Sequence, residues 1–198
     1  VYLLHGLALR HYEEAVSELV PELLQLRDQG KVRALGVTEA FASDPGHAML
    51  QRAMQDDFWE VIMVGFNLLN QSARARVLAT ARAKNIGVLN MFAVRRALGH
   101  PAALSEVISD LGRRGVVEER AAREAVETLV RDGGAMSLQD AAYRFCRYEP
   151  GLHVILSGTG NAAHLRSNVA SLTSPPLPEE DVARLREAFA RVEDVSGN

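Results

Sequence analysis

Short apolar runs alternate with longer amphipathic stretches along the chain, and this alternation restricts the fold more than any other feature. Residues 1–4, 32–37, 61–65, 87–91 and 154–156 read as strands. The run 61–65 is continuous in apolar residues, as a strand buried on both faces of a parallel sheet should be. Between the strands lie helical patterns. Residues 12–29 carry Val16, Leu19, Val20, Leu23 and Leu26 on one stripe, and Gly30 stands where a helix ends. A short helix over 48–54 follows the Asp44-Pro45-Gly46 turn. Residues 72–84 read as helical, and 101–147 as a longer helical stretch broken near Gly115 and near Gly133-Gly134. Asn161 caps a helix over 161–172. The Pro-rich segment 174–178 opens a last helix. Its first turn is acidic (Glu179, Glu180, Asp181), and Val182, Leu185, Phe189 and Val192 face the core.

Strand–helix alternation of this kind predicts an α/β fold with a parallel sheet. No Gly-x-Gly-x-x-Gly follows the first strand, which argues against a doubly wound dinucleotide fold. Five strands with helices between them fit an open sheet or part of a barrel, and the pattern does not choose. The 198 residues, 47% hydrophobic and 24% charged, suit one globular domain over 1–198. A net charge of −3 gives no reason to expect a nucleic-acid or membrane partner. Cys146 is the lone cysteine, so no intrachain disulfide or thiolate metal cluster can form, and it reads as a buried helix residue. No apolar run approaches the roughly 20 residues of a membrane span, and no basic-then-apolar leader opens the chain. A cytoplasmic location is the expectation. Val1 already stands inside an apolar run, so further sequence is expected upstream.

Four segments carry a resemblance. They are residues 1–6 (VYLLHG), 26–38 (LRDQGKVRALGVT), 66–70 (FNLLN), and 157–161 (SGTGN) followed by His164, Leu165 and Asn168. Together, and in this order, they resemble the aldo/keto reductase family. The resemblance implies a partial (β/α)₈ TIM barrel made of its fourth to eighth strands with their helices. It also implies an NAD(P)H-dependent oxidoreductase acting on a small aldehyde or ketone. NADP(H) is the expected cofactor, with NAD(H) as the alternative.

On this alignment every motif sits at a carboxy-terminal strand end, where barrel active sites are built. His5 is implied as the catalytic residue that orients the substrate carbonyl, since an imidazole N–H aimed at a developing alkoxide stabilises it. Gly158, Thr159, Gly160 and Asn161 link a strand to a helix whose first N–H groups would hold a nucleotide phosphate. His164 and Asn168 match contacts to the adenosine end. Arg95 and Arg96 follow the seventh strand and would donate charge-assisted bonds to phosphate. Asn67 and Phe92 are expected to line the substrate pocket.

The departures matter as much. The family's Ser-Asn pair, which binds the nicotinamide carboxamide, is here Thr38-Glu39, and Met91 stands where many members stack an aromatic ring. The catalytic tyrosine of the family, with its Asp and Lys partners, belongs to the first three strands. Tyr2, Tyr12, Tyr143 and Tyr148 match no such motif. The chain is therefore expected to be inactive by itself. A nucleotide-holding module without hydride transfer is the alternative. His47 and the remaining histidines show no metal-ligand spacing, and no metal site is expected.

Overall fold

A computed structural model describes residues 1–131 and 134–198; Gly133, at one expected helix break, lies outside them. Five strands, β1 (Tyr2–Leu7), β2 (Leu35–Glu39), β3 (Val61–Gly65), β4 (Gly87–Met91) and β5 (Val154–Ile155), pair in parallel in sequence order. This is the α/β partial barrel expected from the sequence. Because all five strands run the same way, their carboxy ends lie on one rim.

The register separates two faces of the sheet. Ile62 pairs with Val37 on one side and Val88 on the other, and all three are fully buried in the core shared with the helices. Their neighbours Val61, Met63, Leu89 and Met91 point the opposite way and are only half-buried. Val154, in register with Leu89 on that same face, is 47% exposed. One face is thus sealed by helices, and the other is a partly open concave surface.

Helices α1 (Tyr12–Glu18) and α2 (Val20–Asp28) replace the single helix expected over 12–29. Pro21 stands in the first turn of α2, where its missing N–H is not needed, whereas inside a continuous helix it would remove a bond and clash with the preceding turn. The break turns Leu19 outward, 48% exposed, while Val20 and Leu23 stay buried. Gly30 ends α2 at φ 74° as expected. Helix α3 (Ala48–Ala53) is capped by Asp44, whose carboxylate accepts from the N–H groups of Ala48 and Met49 at 2.9 and 2.8 Å.

The expected helix over 72–84 is a π-type turn over Arg74–Leu78 running into α4 (Ala79–Ala83). Helices α5 (Arg96–Gly99), α6 (Pro101–Arg113), α7 (Glu119–Arg131) and α8 (Leu138–Arg147) fill the long helical stretch, with Gly115 at φ 67° marking one break. Cys146 is fully buried on α8, as expected of a structural cysteine. Helix α9 (Ala162–Thr173) is capped by Asn161. Helix α10 (Glu179–Ala188) follows Pro178 and leads into Phe189 and Val192, both buried with Leu185. Among the described residues no helix is long and apolar enough to cross a membrane.

Candidate functional site at the strand ends

His5 and Thr38 lie in the carboxy-terminal halves of β1 and β2, and Asn67 and Arg95 follow β3 and β4, so the parallel sheet brings them to the same rim. The end of β1 is irregular. Pairing with β2 slips between Leu4 and Leu7, and Gly6 takes φ 61°, which costs a glycine nothing. The Thr38 hydroxyl accepts the Gly6 N–H at 2.6 Å, so Thr38 fixes the backbone next to His5. The His5 side chain is exposed, and among the described residues it has no hydrogen-bond partner.

Glu39 turns inward. Its carboxyl takes the Gly65 N–H at 2.6 Å and meets His47 Nδ1 at 2.9 Å, with both side chains fully buried. Burial pushes the Glu39 carboxyl up from the usual carboxylate range, while the His47 and Gly65 bonds oppose that rise. Phe41 lies over the end of β3: a Cβ on Gly65 would come within 2.3 Å of its ring, so only glycine fits there. The Phe41 ring stacks on His47 at 5.5 Å and on Phe92 at 6.0 Å. The Arg95 guanidinium lies 4.0 Å from the centre of the Phe92 ring. Arg95 Nη1 is buried without a hydrogen-bond partner, and desolvation pulls the Arg95 pKa below its ordinary value. Arg96 is exposed, and Met91 and Phe92 are half-buried.

Asn67 is fully buried. Its Oδ1 accepts from the N–H groups of Leu69 and Asn70, each at 3.0 Å. Its Nδ2 donates to the carbonyls of Phe92 and Ser196. Asn70 similarly donates to the carbonyls of Pro45 and Val195. The pair of asparagines in 66–70 therefore clasps the segment after α10 against the loops after β2 and β4. The Asn67 amide has spent its bonds inside the chain, so any part it plays at a substrate pocket is through this clasp.

The turn after β5 is open. Gly158, Thr159 and Gly160 are exposed, nothing lies within 4 Å of a Cβ placed on either glycine, and among the described residues their N–H groups make no hydrogen bond. The start of α9 differs from the expectation, because the Asn161 side chain itself accepts from Ala163 and His164 at 2.8 and 3.4 Å. The Ala163 and His164 N–H groups are thereby taken, and the free donors are those of the turn together with the Ala162 N–H that follows it. A cleft of about 540 Å³ runs from this turn past His164 and Asn168 to Val94 and His100. Asn168 is braced by Ser157 Oγ at 2.8 Å, and Ser157 by the Tyr143 hydroxyl at 3.1 Å. A larger hollow of about 630 Å³ between α6 and α7 lies on the helical layer, lined by residues such as Leu104, Ile108 and Val126, away from the strand ends.

Sequence reasoning missed His47, Phe41, His100 and Tyr143. The one signal for His47 was the anion at position 39, which needs a buried partner once it leaves water. Three of the four tyrosine hydroxyls are committed, and among the described residues that of the half-exposed Tyr2 is not. Tyr12 donates to Asp56 at 2.5 Å and accepts from Trp59 at 2.8 Å, and Tyr148 donates to the Ser174 carbonyl. Desolvation, helped by Asp56, drives the Tyr12 pKa far above that of a free phenol. Among the described residues no group of His, Cys, Asp and Glu side chains is placed to hold a metal ion.

Comparison with known proteins follows the same lines. The model of the aldo/keto reductase family matches residues 1–190. No curated protein matches the chain. Among solved structures, the holo form of the aldo-keto reductase AKR11C1 from Bacillus halodurans superposes with a TM-score of 0.66 at 14% identity, covering 94% of this chain and 59% of that one. The glycerol dehydrogenase AKR11B4 from Gluconobacter oxydans gives 0.65 at 20% identity, covering 98% and 59%. An aldo/keto reductase from Klebsiella pneumoniae in complex with NADP and acetate gives 0.63 at 16%, covering 95% and 58%. At these identities the structures show the fold, and the chain spans about three fifths of the length of each.

Proposed function

The chain belongs to the aldo/keto reductase family, and on that footing we propose that it holds a nicotinamide dinucleotide along the rim of its sheet for the reduction of a small aldehyde or ketone. The observation that carries the reading is the cleft beside the Gly158 turn, with its unused amide donors and open space. A nucleotide fits what is present there. Gly158, Thr159 and Gly160 offer N–H groups to phosphate, and His164 and Asn168 flank the adenosine end. Arg95, a desolvated cation without a carboxylate partner among the described residues, and the exposed Arg96 directly follow Val94 of the cleft lining and are the positive charges proposed for the phosphates. Thr38, Met91 and Phe92 stand at the nicotinamide side. NADP(H) is the proposed cofactor, the nucleotide named in the Klebsiella pneumoniae complex; when bound it supplies the hydride. His5 orients the carbonyl and stabilises charge on its oxygen.

The proton donor is not proposed among the described residues. Tyr12, Tyr143 and Tyr148 have committed hydroxyls, and Lys84 is paired with Asp57 at 2.7 Å. The chain alone is accordingly expected to bind nucleotide without turning over carbonyls. The test is titration of the full chain with NADPH, followed by nicotinamide fluorescence. Gly158→Leu places a side chain in space that the fold leaves empty, so it should not disturb folding. It is expected to weaken NADPH about tenfold, the equivalent of roughly 1.4 kcal/mol. Equal affinity in the two proteins contradicts the assignment of the turn.

A further inference from the structure

Glu39 and His47 form a fully buried acid–base pair that the proposed chemistry leaves unused. Its proton inventory follows from its neighbours. The Asn70 amide is oriented by donating Nδ2 to the carbonyls of Pro45 and Val195, so its Oδ1 is an acceptor. The Ser72 hydroxyl lies 2.6 Å from that Oδ1 and 3.4 Å from the Pro45 carbonyl, and both can only accept. The single Ser72 proton is therefore used, and Ser72 Oγ must accept from His47 Nε2 at 3.0 Å. His47 is fixed with a proton on Nε2. One further proton lies in the bond between Nδ1 and the carboxyl, while Glu39 Oε1 holds the Gly65 N–H. The same inventory rules out an activated serine, because the Ser72 proton points away from the imidazole.

Above the pair stands a column of rings. His47 stacks on Phe41 at an interplanar angle of 14°, Phe41 on Phe92 at 22°, and Arg95 caps Phe92. His47 and Phe92 both hold left-handed backbone, at φ 63° and 67°, a conformation that such residues keep only where the surroundings fix it. Val94, next to Arg95, lines the nucleotide cleft. The Gly65 N–H ends β3, and the Phe41 ring and the Arg95 cation belong to the loops after β2 and β4, so the pair with its ring stack joins three consecutive strands.

We propose that Glu39 and His47 are a positioning pair: sharing one proton, they lock the His47–Phe41–Phe92 stack and so hold the 92–95 loop, whose Val94 lines the nucleotide cleft. This rests on the dinucleotide reading given above. The substitution of an amide by an anion at position 39 then has a physical role, exchanging a direct cofactor contact for a buried anchor.

The experiment uses the full chain labelled with ¹⁵N at histidine, in imidazole NMR spectra and in NADPH fluorescence titrations. The His47 ring should show a protonated Nε2 that exchanges slowly with solvent. Glu39→Leu, which leaves the Gly65 N–H and Nδ1 without partners, should weaken NADPH about tenfold. Glu39→Gln can still accept from Gly65 and donate to Nδ1, and it should recover most of the lost affinity. If Glu39→Leu does not fold, His47→Phe, which keeps a stacking ring but removes both nitrogens, takes its place as the disrupted variant. Equal affinities for the Leu and Gln variants, or a disrupted variant that binds like wild type, overturn the proposal. A wild-type chain that ignores NADPH removes the dinucleotide reading instead. The pair is then decided by the spectrum alone, and an unprotonated Nε2 overturns it.

Discussion

Gly36→Val should cost the chain about 3 kcal/mol or more of stability, at the upper end of overpacking substitutions and a large share of the roughly 5–15 kcal/mol that holds a typical domain. Gly36 pairs with Leu3 on one side and Val61 on the other. A Cβ at this position would lie 2.3 Å from the Val61 carbonyl oxygen and 2.4 Å from Leu3 Cδ2. The leucine can rotate away, but the carbonyl is backbone in the next strand and can move only by opening the β2–β3 ladder. The Gly36 backbone is otherwise ordinary, so the effect is one of space and not of dihedral strain. Urea denaturation followed by circular dichroism measures it. A midpoint unchanged from wild type would mean that the two strands are not packed as described.

The second large effect is expected at the ion pair joining the π-type turn after β3 to the residues after α8. Glu149 is buried, and Arg74 grips its carboxylate with two bonds of 2.7 Å while also bonding Gln71 at 2.8 Å. Arg186 on α10 adds a longer contact at 3.3 Å. Arg74→Met leaves a buried carboxylate with only that weaker partner. It should cost about 3 kcal/mol, because an uncompensated buried charge is far more expensive than the intact pair is stabilising. Adding Glu149→Leu to Arg74→Met should return a substantial part of the loss, since the stranded charge goes with it. A double variant that loses as much as the two single variants together would show that Arg74 acts through its packing on Phe66, where the guanidinium lies 5.5 Å from the ring centre.

Much of this architecture is legible in the residues. The strands at 61–65 and 87–91 coincide with their apolar runs, and Gly30 and Asn161 end and start helices where their chemistry requires. The break between α1 and α2 has a local signal in Pro21, which cannot sit mid-helix. The role of Asn67 was not available. Its partner carbonyl at Ser196 is 129 residues away, and no local pattern announces such a contact. The site shows the same division. Thr38, Arg95 and the Gly158 turn are legible in the sequence as positions at or after strand ends, which a parallel sheet gathers on one rim. Glu39 was read as facing the cofactor, yet it is buried against His47, eight residues on and across a tight turn that periodicity cannot bridge.

The central claim is that a dinucleotide lies along this rim with its adenosine end beside Gly158, and amide chemical-shift mapping of the ¹⁵N-labelled full chain with NADPH tests it most directly. The account predicts shifts at Gly158, Thr159, Gly160, Val94 and Asn168, with Ser105 and Val126 in the α6–α7 hollow unmoved. Saturating NADPH that leaves the Gly158 turn unperturbed, or perturbs only the α6–α7 hollow, would contradict it.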